Sequence, residues 1–549
     1  MRAKHIYAIL ISIILSVIYF QLICRLFEND RHFSHLSPLE REMSFRTEMA
    51  FYYNYFKRMA DPSDQIHRNL TEVTIRDSIN TIINDNITEF PETINALKKF
   101  NIYPEVVIGL GYRLFSQSLD VLGLKPMKEC FLVDRGADMS PVESCEGISE
   151  PIYFYVYSVF AFNSIVCGFL YLNSYIMSDY SPFGPILTII MFAFNHSNST
   201  RIQWTPPLRE SFGYPIYLVL QTYVNHLLSK NLKSMNRIVV ISLMVSLLVC
   251  WQFSPFLLLS QLICLFLTFK CFQIKNYSKY RQTFVELIKC NLYSVLFAFV
   301  LMFFNTYLIN SLYFHFIISN LIYELLISNY ENSIIDKSGL KLLFKTIRSK
   351  LLLRISINCL SVLCLTLTSK VLISYLSDNR DDSHIWLLML SKISSYRDFH
   401  TMLYTCSPEF DFMPLEDLTS LTRTLLVPVS VLATVMSCIK LSSEPLIQFN
   451  ATQSLLFLSM ALFVMRLKLL FVPQLCLMCA LLSRVCRTTI RNQCLFALLI
   501  SFSFYFGIHN IKSQLNIIGE YFNEPLEQLI QFIVSSTHPN AVFAGIPLL

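Results

Sequence analysis

Long runs of apolar residues alternate with short polar segments along most of this chain. A hydrocarbon core of about 30 Å needs about 20 apolar residues per helix, and by this measure thirteen segments could cross it. They lie near residues 6–24, 152–174, 182–196, 213–229, 237–252, 254–270, 288–307, 309–328, 351–376, 421–440, 451–467, 469–485 and 493–510. The pattern predicts an all-α polytopic membrane protein with about thirteen transmembrane helices.

Composition excludes several other classes of protein. Of the 549 residues, 54% are hydrophobic and only 15% are charged, whereas soluble domains carry about 25% charged residues. A disordered protein, a fibrous repeat and an ordinary soluble enzyme are therefore excluded. The net charge is a modest +6. We interpret it as loop charge that sets membrane topology, not as a surface for nucleic acid.

The first apolar segment has two interpretations. Its basic flank, from Arg2 to His5, fits a cleaved signal peptide. However, the apolar run from Ile6 to Cys24 is long, and no small-residue cleavage site follows it. We therefore favour a membrane anchor over residues 1–24, with a cytosolic N-terminus.

Lys and Arg residues predict the orientation, since cytosolic loops are enriched in them. With a cytosolic N-terminus, the clusters of basic residues at 230–237, 270–281, 337–350 and 484–491 are all cytosolic. The large loop 25–150, a second loop at 377–420 and the segment 511–549 are then luminal, and helices 2–13 occupy 151–510. N-glycosylation sequons lie on the same luminal side at Asn69, Asn86, Asn195 and Asn198, which is weak support.

A candidate for chemistry lies in the first large loop. The segment from Leu39 to Tyr55 lacks Gly and Pro, and it follows Ser37-Pro38, a pair typical of a helix start. Helical spacing places four side chains on one face: Arg41, Phe45, Glu48 and Tyr52. Burial among aromatic rings raises the pKa of a carboxylate and a nearby Arg lowers it, which suits a tunable general base. A surface helix with ion pairs has the same pattern, and periodicity alone favours that second interpretation.

Basic residues occupy two other predicted luminal positions. Arg201 and Arg209 flank Trp204 at the mouth of adjacent spans, and Arg suits bidentate phosphate capture. Snorkelling of these side chains to the interface explains them equally well. Arg466 and Lys468 join two spans with almost no loop, against the positive-inside trend. Charges in such a turn are costly unless they face a cavity or the interface.

Cysteine and histidine give weaker signals. Cys476 and Cys479 have zinc-like spacing, but they lie in an apolar segment with no second pair nearby, so we predict no metal site. Cys130 and Cys145 lie in a polar loop, where a disulfide is plausible if that loop is luminal. His400 lies in the loop 377–420, and a histidine in such a loop is more often solvated than catalytic. The sequence contains no Walker loop, no His-Glu-x-x-His and no G-x-G-x-x-G.

A series of longer motifs runs through the chain in a fixed order. They are FENDRHFSHL (27–36), EREMSFRTEM (40–49), NIYPEV (101–106), PVESCEGI (141–148), FNH (194–196), TRIQWTPPLRESF (200–212), WQF (251–253), RDF (397–399) with YTC (404–406), and MRLK (465–468). Together they resemble the dumpy-19-like protein C-mannosyltransferases. The resemblance implies a GT-C-type glycosyltransferase fold with luminal loops, in the endoplasmic reticulum membrane. Members transfer mannose from dolichyl-phosphate-mannose to indole C2 of tryptophan in Trp-x-x-Trp motifs, as in thrombospondin-type repeats.

The resemblance also implies site residues. By its place in the Arg-Thr-Glu-Met motif, Glu48 resembles the family's catalytic carboxylate, acting as general base toward the indole or as stabiliser of a cationic intermediate. From charge and topology we predict four contacts to the donor phosphate: Arg209, Arg466, Lys468 and Arg201. Residues predicted to shape the site or contact the acceptor are Arg41, Tyr52, Trp204, Asp398 and His400. Besides the lipid-linked donor, we expect no cofactor, no metal and no nucleic acid; the expected partners are unfolded secretory or membrane proteins and the bilayer.

Three departures from the family pattern leave an alternative open. His400 stands where the family usually has Asp, and Gln474 stands where it often has His. Members usually continue into a C-terminal luminal domain, and we expect 511–549 to be the truncated start of one. The alternative function is a catalytically inactive paralogue that acts as a membrane scaffold or a chaperone-like partner.

Overall fold

Helices make up most of the structure. The computed structural model describes residues 2–60, 74–135, 141–230, 235–271, 277–327, 347–377, 387, 390–392, 394, 402, 407–441, 444–485, 490–538 and 541–543. Asp398, His400, the sequon at Asn69 and most of the predicted luminal loop before residue 407 lie outside the described residues.

The described part of the first 150 residues forms short helices and a hairpin after a long first helix. The elements are α1 (Arg2–Arg31), α2 (Pro38–Met43), α3 (Glu48–Ala60), α4 (Ile75–Ile83), α5 (Ala96–Lys99), α6 (Tyr103–Val121), β1 (Glu129–Val133) and β2 (Val142–Glu146). The two strands pair antiparallel with Cys130 opposite Cys145, and a disulfide joins these residues. The pairing suggested by the sequence is thus present in the hairpin.

Mostly longer, apolar helices follow. They are α7 (Pro151–Met177), α8 (Phe183–Phe194), α9 (His196–Ser199), α10 (Glu210–Lys230), α11 (Arg237–Cys250), α12 (Ser254–Phe266), α13 (Tyr277–Leu301), α14 (Thr306–Asn310), α15 (Leu312–Ile322), α16 (Ile347–Ser377), α17 (Leu415–Arg423), α18 (Leu426–Lys440), α19 (Pro445–Phe463), α20 (Lys468–Val485), α21 (Ile490–Leu515) and α22 (Glu524–Ser536). Short π-helical turns extend α12 and α15, at Leu267–Cys271 and Tyr323–Ile327.

Helices cover all or most of each of the thirteen predicted apolar segments. Among the described residues, five helices are long and apolar enough to cross a membrane: Lys4–Arg31, Pro151–Met177, Tyr280–Leu301, Pro445–Phe463 and Met465–Val485. A sixth is obtained if α17 and α18, bent by 75° at their junction, count as one span. Leu425, directly before α18, has a left-handed φ of 64° that interrupts the predicted span 421–440. The chain is thus a multi-pass membrane protein, while the count of thirteen spans and the luminal loops stay predictions.

The start of α2 is as predicted from the sequence. Ser37 Oγ accepts the backbone N–H of Glu40 at 3.2 Å, and the Glu40 carboxylate accepts the N–H of Ser37 at 2.8 Å, with Pro38 in the first turn. This reciprocal pair satisfies two N–H groups that the helix leaves unpaired at its start.

The prediction of a single helix that runs to Tyr55 is wrong, because helical structure is interrupted after α2. Thr47 has a left-handed φ of 53°, which no right-handed helix continues, and α3 begins at the next residue, Glu48. Within the break, Phe45 is buried with its ring centroid 5.2 Å from that of Tyr53. This tertiary packing outweighs the helix propensity of the segment. Arg41 and Glu48 therefore belong to different helices.

The structure divides into two compact units. The loop unit comprises Ile9–Gly168, Thr200–Pro215 and His509–Leu549; the bundle unit comprises Met1–Ala8, Phe169–Ser199 and Ile216–Ile508. A cluster of buried side chains from α3 to α6 forms a core in the loop unit: Tyr55, Met59, Ile82, Ala96, Leu97 and Ile102. A Cβ on Gly109 of α6 would lie 2.7 Å from Met59 Cβ, so this glycine allows α3 and α6 to pack closely.

Buried amide side chains connect helices of the bundle unit. Gln221 Nε2 donates to the Oε1 atoms of Gln453 and Gln474, at 3.0 and 2.8 Å, and Asn225 exchanges hydrogen bonds with Asn450. Gln474, one of the departures from the family pattern, therefore belongs to a network of hydrogen bonds between α10, α19 and α20. Cys476, on the same helix, is buried among apolar residues.

Candidate active site

Glu48 lies in the first turn of α3, directly after the left-handed residue Thr47. Of the two interpretations of this segment, a carboxylate buried among aromatic rings and a surface position, the structure agrees with the second, since Glu48 is exposed. A helix N-terminus favours negative charge. Glu48 is thus an accessible carboxylate at the positive end of α3.

Tyr52 follows Glu48 by one helical turn and is half-buried. Burial raises the pKa of the Tyr52 hydroxyl to about 12; the charge of Arg209 opposes this shift, and the carboxylates of Glu48, Glu105 and Glu210 add to it. The hydroxyl therefore remains protonated at neutral pH and can donate a hydrogen bond.

The Arg209 guanidinium stacks on Tyr52, with Cζ 3.6 Å from the ring centroid. Nη1 donates to Glu105 Oε2 at 2.8 Å and to the Asn101 carbonyl at 2.6 Å, and Nη2 donates to Glu105 Oε1 and, at 3.1 Å, to the Pro207 carbonyl. Arg209 was predicted to contact a phosphate. In the structure both terminal nitrogens of its guanidinium are engaged within the loop unit.

Glu105 was not predicted as a site residue. It is 0% exposed in the first turn of α6, and the Tyr155 hydroxyl also donates to it at 2.9 Å. Burial would lower the pKa of Arg209, but the charge and hydrogen bonds of Glu105 outweigh burial and raise that pKa above its ordinary value. The sequence signal for Glu105 was its place in the NIYPEV motif, directly after a proline.

Arg201 and Trp204 also belong to the loop unit. Arg201 is half-buried, and its Nη1 lies 3.9 Å from Oε1 of Glu210, beyond hydrogen-bond distance. Trp204 is half-buried, and its carbonyl accepts a hydrogen bond from Arg31. The structure thus places Glu48, Tyr52, Arg201, Trp204 and Arg209 in one unit, with contact between Tyr52 and Arg209.

Arg41 was predicted to shape the site or to contact the acceptor. Its side chain is 1% exposed and donates to the carbonyls of Phe33 (2.9 Å), Ser34 (3.0 Å) and Cys145 (2.6 Å) and to Ser144 Oγ (2.5 Å). These bonds tie the turn before α2 to strand β2. Arg41 therefore shapes the fold from inside the protein.

Arg466 and Lys468 lie in the bundle unit, and each faces a carboxylate. Lys468 Nζ donates to Asp417 Oδ2 at 2.8 Å and to Asn198 Oδ1 at 3.2 Å. Arg466 Nη1 lies 3.8 Å from Glu409 Oε2. Both side chains are about one-fifth exposed, at 19% and 20%, so they remain accessible to an anionic group.

Among the described residues, one group of three potential metal ligands has its donor atoms close together: Cys130, Glu143 and Cys145. The two sulfur atoms are bonded to each other, and a metal ligand would need free thiolates. This group therefore does not form a metal site while the disulfide is intact.

Comparison with known proteins covers nearly the whole chain. The family model described as "Dpy19: Q-cell neuroblast polarisation" matches residues 13–446 and 442–549. Human Protein C-mannosyl-transferase DPY19L1 is 35% identical over 572 residues, which cover 97% of this chain and 78% of that protein. The C-mannosyltransferase dpy-19 of Caenorhabditis elegans is 35% identical over 567 residues, covering 98% of this chain and 77% of that one.

A solved structure is similar in fold. It is the archaeal oligosaccharyltransferase AglB from Archaeoglobus fulgidus, in complex with an inhibitory peptide and a dolichol-phosphate, with a TM-score of 0.58 and 9% sequence identity. The match covers 96% of this chain and 58% of AglB. At this identity the likeness concerns the fold alone, and it agrees with the expected GT-C-type fold.

Proposed function

Because the chain belongs to the Dpy19 family and is a glycosyltransferase, we propose that it transfers mannose from dolichyl-phosphate-mannose to C2 of a tryptophan indole. The acceptors are Trp-x-x-Trp segments of unfolded secretory or membrane proteins. Identity of 35% across 97% of the chain to a relative named a C-mannosyl-transferase is the observation that carries this proposal.

The donor and the place of reaction follow from the same family. The AglB structure contains a peptide and a dolichol-phosphate, and a lipid-linked donor with a protein acceptor suits a membrane enzyme of this fold. We place the protein in the endoplasmic reticulum membrane with the loop unit's residues 25–150 in the lumen, where secretory proteins are still unfolded.

Glu48 is the base in this proposal. The bond from mannose C1 to the phosphate oxygen breaks, a bond from C1 to indole C2 forms, and the C2 proton passes to the Glu48 carboxylate. Dolichyl phosphate leaves with the electron pair of the broken bond. The exposed position of Glu48 at the start of α3 lets an acceptor approach it, and the protonated hydroxyl of Tyr52 lies one turn away for a hydrogen bond.

Negative charge develops on the departing phosphate and needs fixed cations. We assign this role to Arg201 and keep Arg466 and Lys468 as separate candidates. Arg209 is assigned elsewhere, because its terminal nitrogens are engaged by Glu105 and two carbonyls. A single lipid phosphate as leaving group needs no metal, and we propose none.

The test uses cells that lack endogenous C-mannosylation and secrete a thrombospondin-type repeat as reporter. The chain is expressed as the native form, as Glu48→Gln and as Glu89→Gln. Glu89 is a matched control, because it forms a solvent-accessible ion pair with Lys99 at 2.6 Å. Mass spectrometry should find one hexose on tryptophan with the native chain and Glu89→Gln, and a loss of at least about 100-fold with Glu48→Gln.

One departure from the family pattern favours a second function. Gln474 replaces an ionisable residue and is buried in the amide network of the bundle unit. If the native chain is well expressed and correctly inserted but adds no hexose, the inactive scaffold becomes the better description.

A further inference from the structure

Glu105 is a fully buried carboxylate of the loop unit. It has 0% exposure, and it accepts three hydrogen bonds, two from Arg209 and one from Tyr155. A buried charge is costly unless it is paired. The proposed transfer does not use Glu105, so its pairing needs another explanation.

A chain of contacts connects Glu105 to the first turn of α3. Arg209 is held by Glu105 on one side and stacks on Tyr52 at 3.6 Å on the other. Tyr52 lies on α3, one turn after Glu48. Arg is suited to this double role, because its planar group forms bidentate bonds in its plane and stacks with its face.

The packing of α6 on α3 supports the same arrangement. Gly109 follows Glu105 by one turn on α6, and a Cβ at that position would lie 2.7 Å from Met59 Cβ. The two helices are thus held close together near one end of α3, and the contact chain through Glu105 holds them at the other end.

We propose that Glu105 is a positioning residue for the transfer reaction, which holds Arg209 against Tyr52 and so fixes the first turn of α3 that carries Glu48. This inference rests on the proposed function. A displacement of about 1 Å in a reacting group can cost about 100-fold in rate, so fixing this turn matters for a base that must meet indole C2.

The central variant is Glu105→Asp, made in the full chain and purified from membranes. It keeps the charge paired with Arg209 but withdraws the carboxylate by one methylene. We expect kcat per folded enzyme to fall about tenfold or more, with KM for the acceptor peptide within about twofold. Hydrogen exchange of amides in residues 48–55 should become about tenfold faster, while peptides of α20 stay unchanged.

Two further variants complete the design. Arg209→Lys keeps a positive charge but loses the planar stack on Tyr52. This variant should show the same fall in kcat and the same faster exchange as Glu105→Asp. If Glu105→Asp does not fold, Arg209→Lys takes its place in the test. Glu89→Asp makes the same chemical change in a solvent-accessible ion pair and should leave rate and exchange at native values.

Other outcomes are distinguishable. An unchanged kcat per folded enzyme in Glu105→Asp, or unchanged exchange over residues 48–55, would overturn the inference. Faster exchange throughout the loop unit with an unchanged kcat would also overturn the inference, because Glu105 would then contribute to stability alone. A native chain that forms no hexose product overturns the proposed function and the catalytic part of this inference, and the exchange measurement still decides whether Glu105 orders α3.

Discussion

Two arginines of the segment 200–215 differ in burial and in the geometry of their contact with a carboxylate. Arg209 makes a bidentate pair with a fully buried carboxylate. Arg201 lies 3.9 Å from Glu210 and keeps 22% of its side chain exposed. A phosphate approaching Arg209 would have to replace Glu105 and leave that buried carboxylate without its cationic partner, which is strongly unfavourable. Because the side chain of Arg201 is partly exposed and that of Arg209 is buried in its ion pair, Arg201 is the better phosphate contact of the two.

This difference gives a prediction for Arg201. Arg201→Met should lower the rate of hexose transfer by about 100-fold, the usual cost of removing one donor to a developing negative charge. The measurement is product formation in microsomes at saturating acceptor. Arg76→Met, which removes an exposed arginine of the same unit, should retain the native rate. Native rates from Arg201→Met would show that the phosphate contacts lie elsewhere.

At the scale of elements, Arg41 connects the hairpin β1–β2 to the turn before α2 by hydrogen bonds to both. The Cys145 carbonyl and Ser144 Oγ of β2 both accept hydrogen bonds from Arg41, at 2.6 and 2.5 Å. The disulfide Cys130–Cys145 closes a loop with a sequence separation of 15. It constrains both the hairpin and this buried arginine.

Removing the disulfide should destabilise the loop unit. Cys130→Ser combined with Cys145→Ser is expected to lower the free energy of unfolding by about 3 kcal/mol, the value for a loop of this length. Thermal unfolding of the detergent-purified chain measures this. Cys364→Ser, at an exposed free cysteine, should leave the midpoint unchanged. Equal midpoints for the double variant and the native chain would contradict the proposed contribution of the hairpin.

Local elements were predictable where their cause is local. The start of α2 depends on Ser37, Pro38 and Glu40, three neighbours in sequence, and it was predicted correctly. The break at Thr47 was not, because the burial of Phe45 against Tyr53 arises from packing that helical periodicity does not contain.

The same distinction applies to the candidate site. Glu48 could be proposed as a candidate from a motif of adjacent residues. Glu105 was missed because its partner Arg209 is 104 positions away in the sequence, and without that partner a carboxylate at a helix start is an ordinary feature. The role of Arg41 was missed for the same reason, since its partner Ser144 is 103 positions away.

On the scale of the whole molecule, the orientation in the membrane decides which side of it the candidate residues face. The basic loops predict that residues 25–150 are luminal, and helices cover the apolar segments on which this prediction depends. An orientation marker in that loop would test the prediction without any assay of transfer.

Asn86 provides that marker, because a glycan is added only on the luminal side and only to an accessible sequon. Asn86 is exposed. Asn195 is buried, with its amide bonded to the Met191 carbonyl at 2.8 Å and its oxygen accepting from Thr424 at 2.8 Å. Asn198 is also buried and accepts from Lys468. We therefore expect a glycan on Asn86 and none on Asn195 or Asn198.

The measurement is the gel shift on endoglycosidase H treatment, in an Asn69→Gln background that removes the other sequon of the predicted luminal loop 25–150. The shift should correspond to one glycan and disappear with Asn86→Gln, while Asn195→Gln leaves it in place. A shift that persists in the Asn86→Gln variant would show that another sequon is modified; a shift removed only by Asn276→Gln would indicate the opposite orientation, since Asn276-Tyr277-Ser278 lies in a loop predicted to be cytosolic. That orientation would place residues 25–150 on the cytosolic side, and Glu48 on the opposite side of the membrane from the unfolded secretory acceptors that the proposed transfer requires.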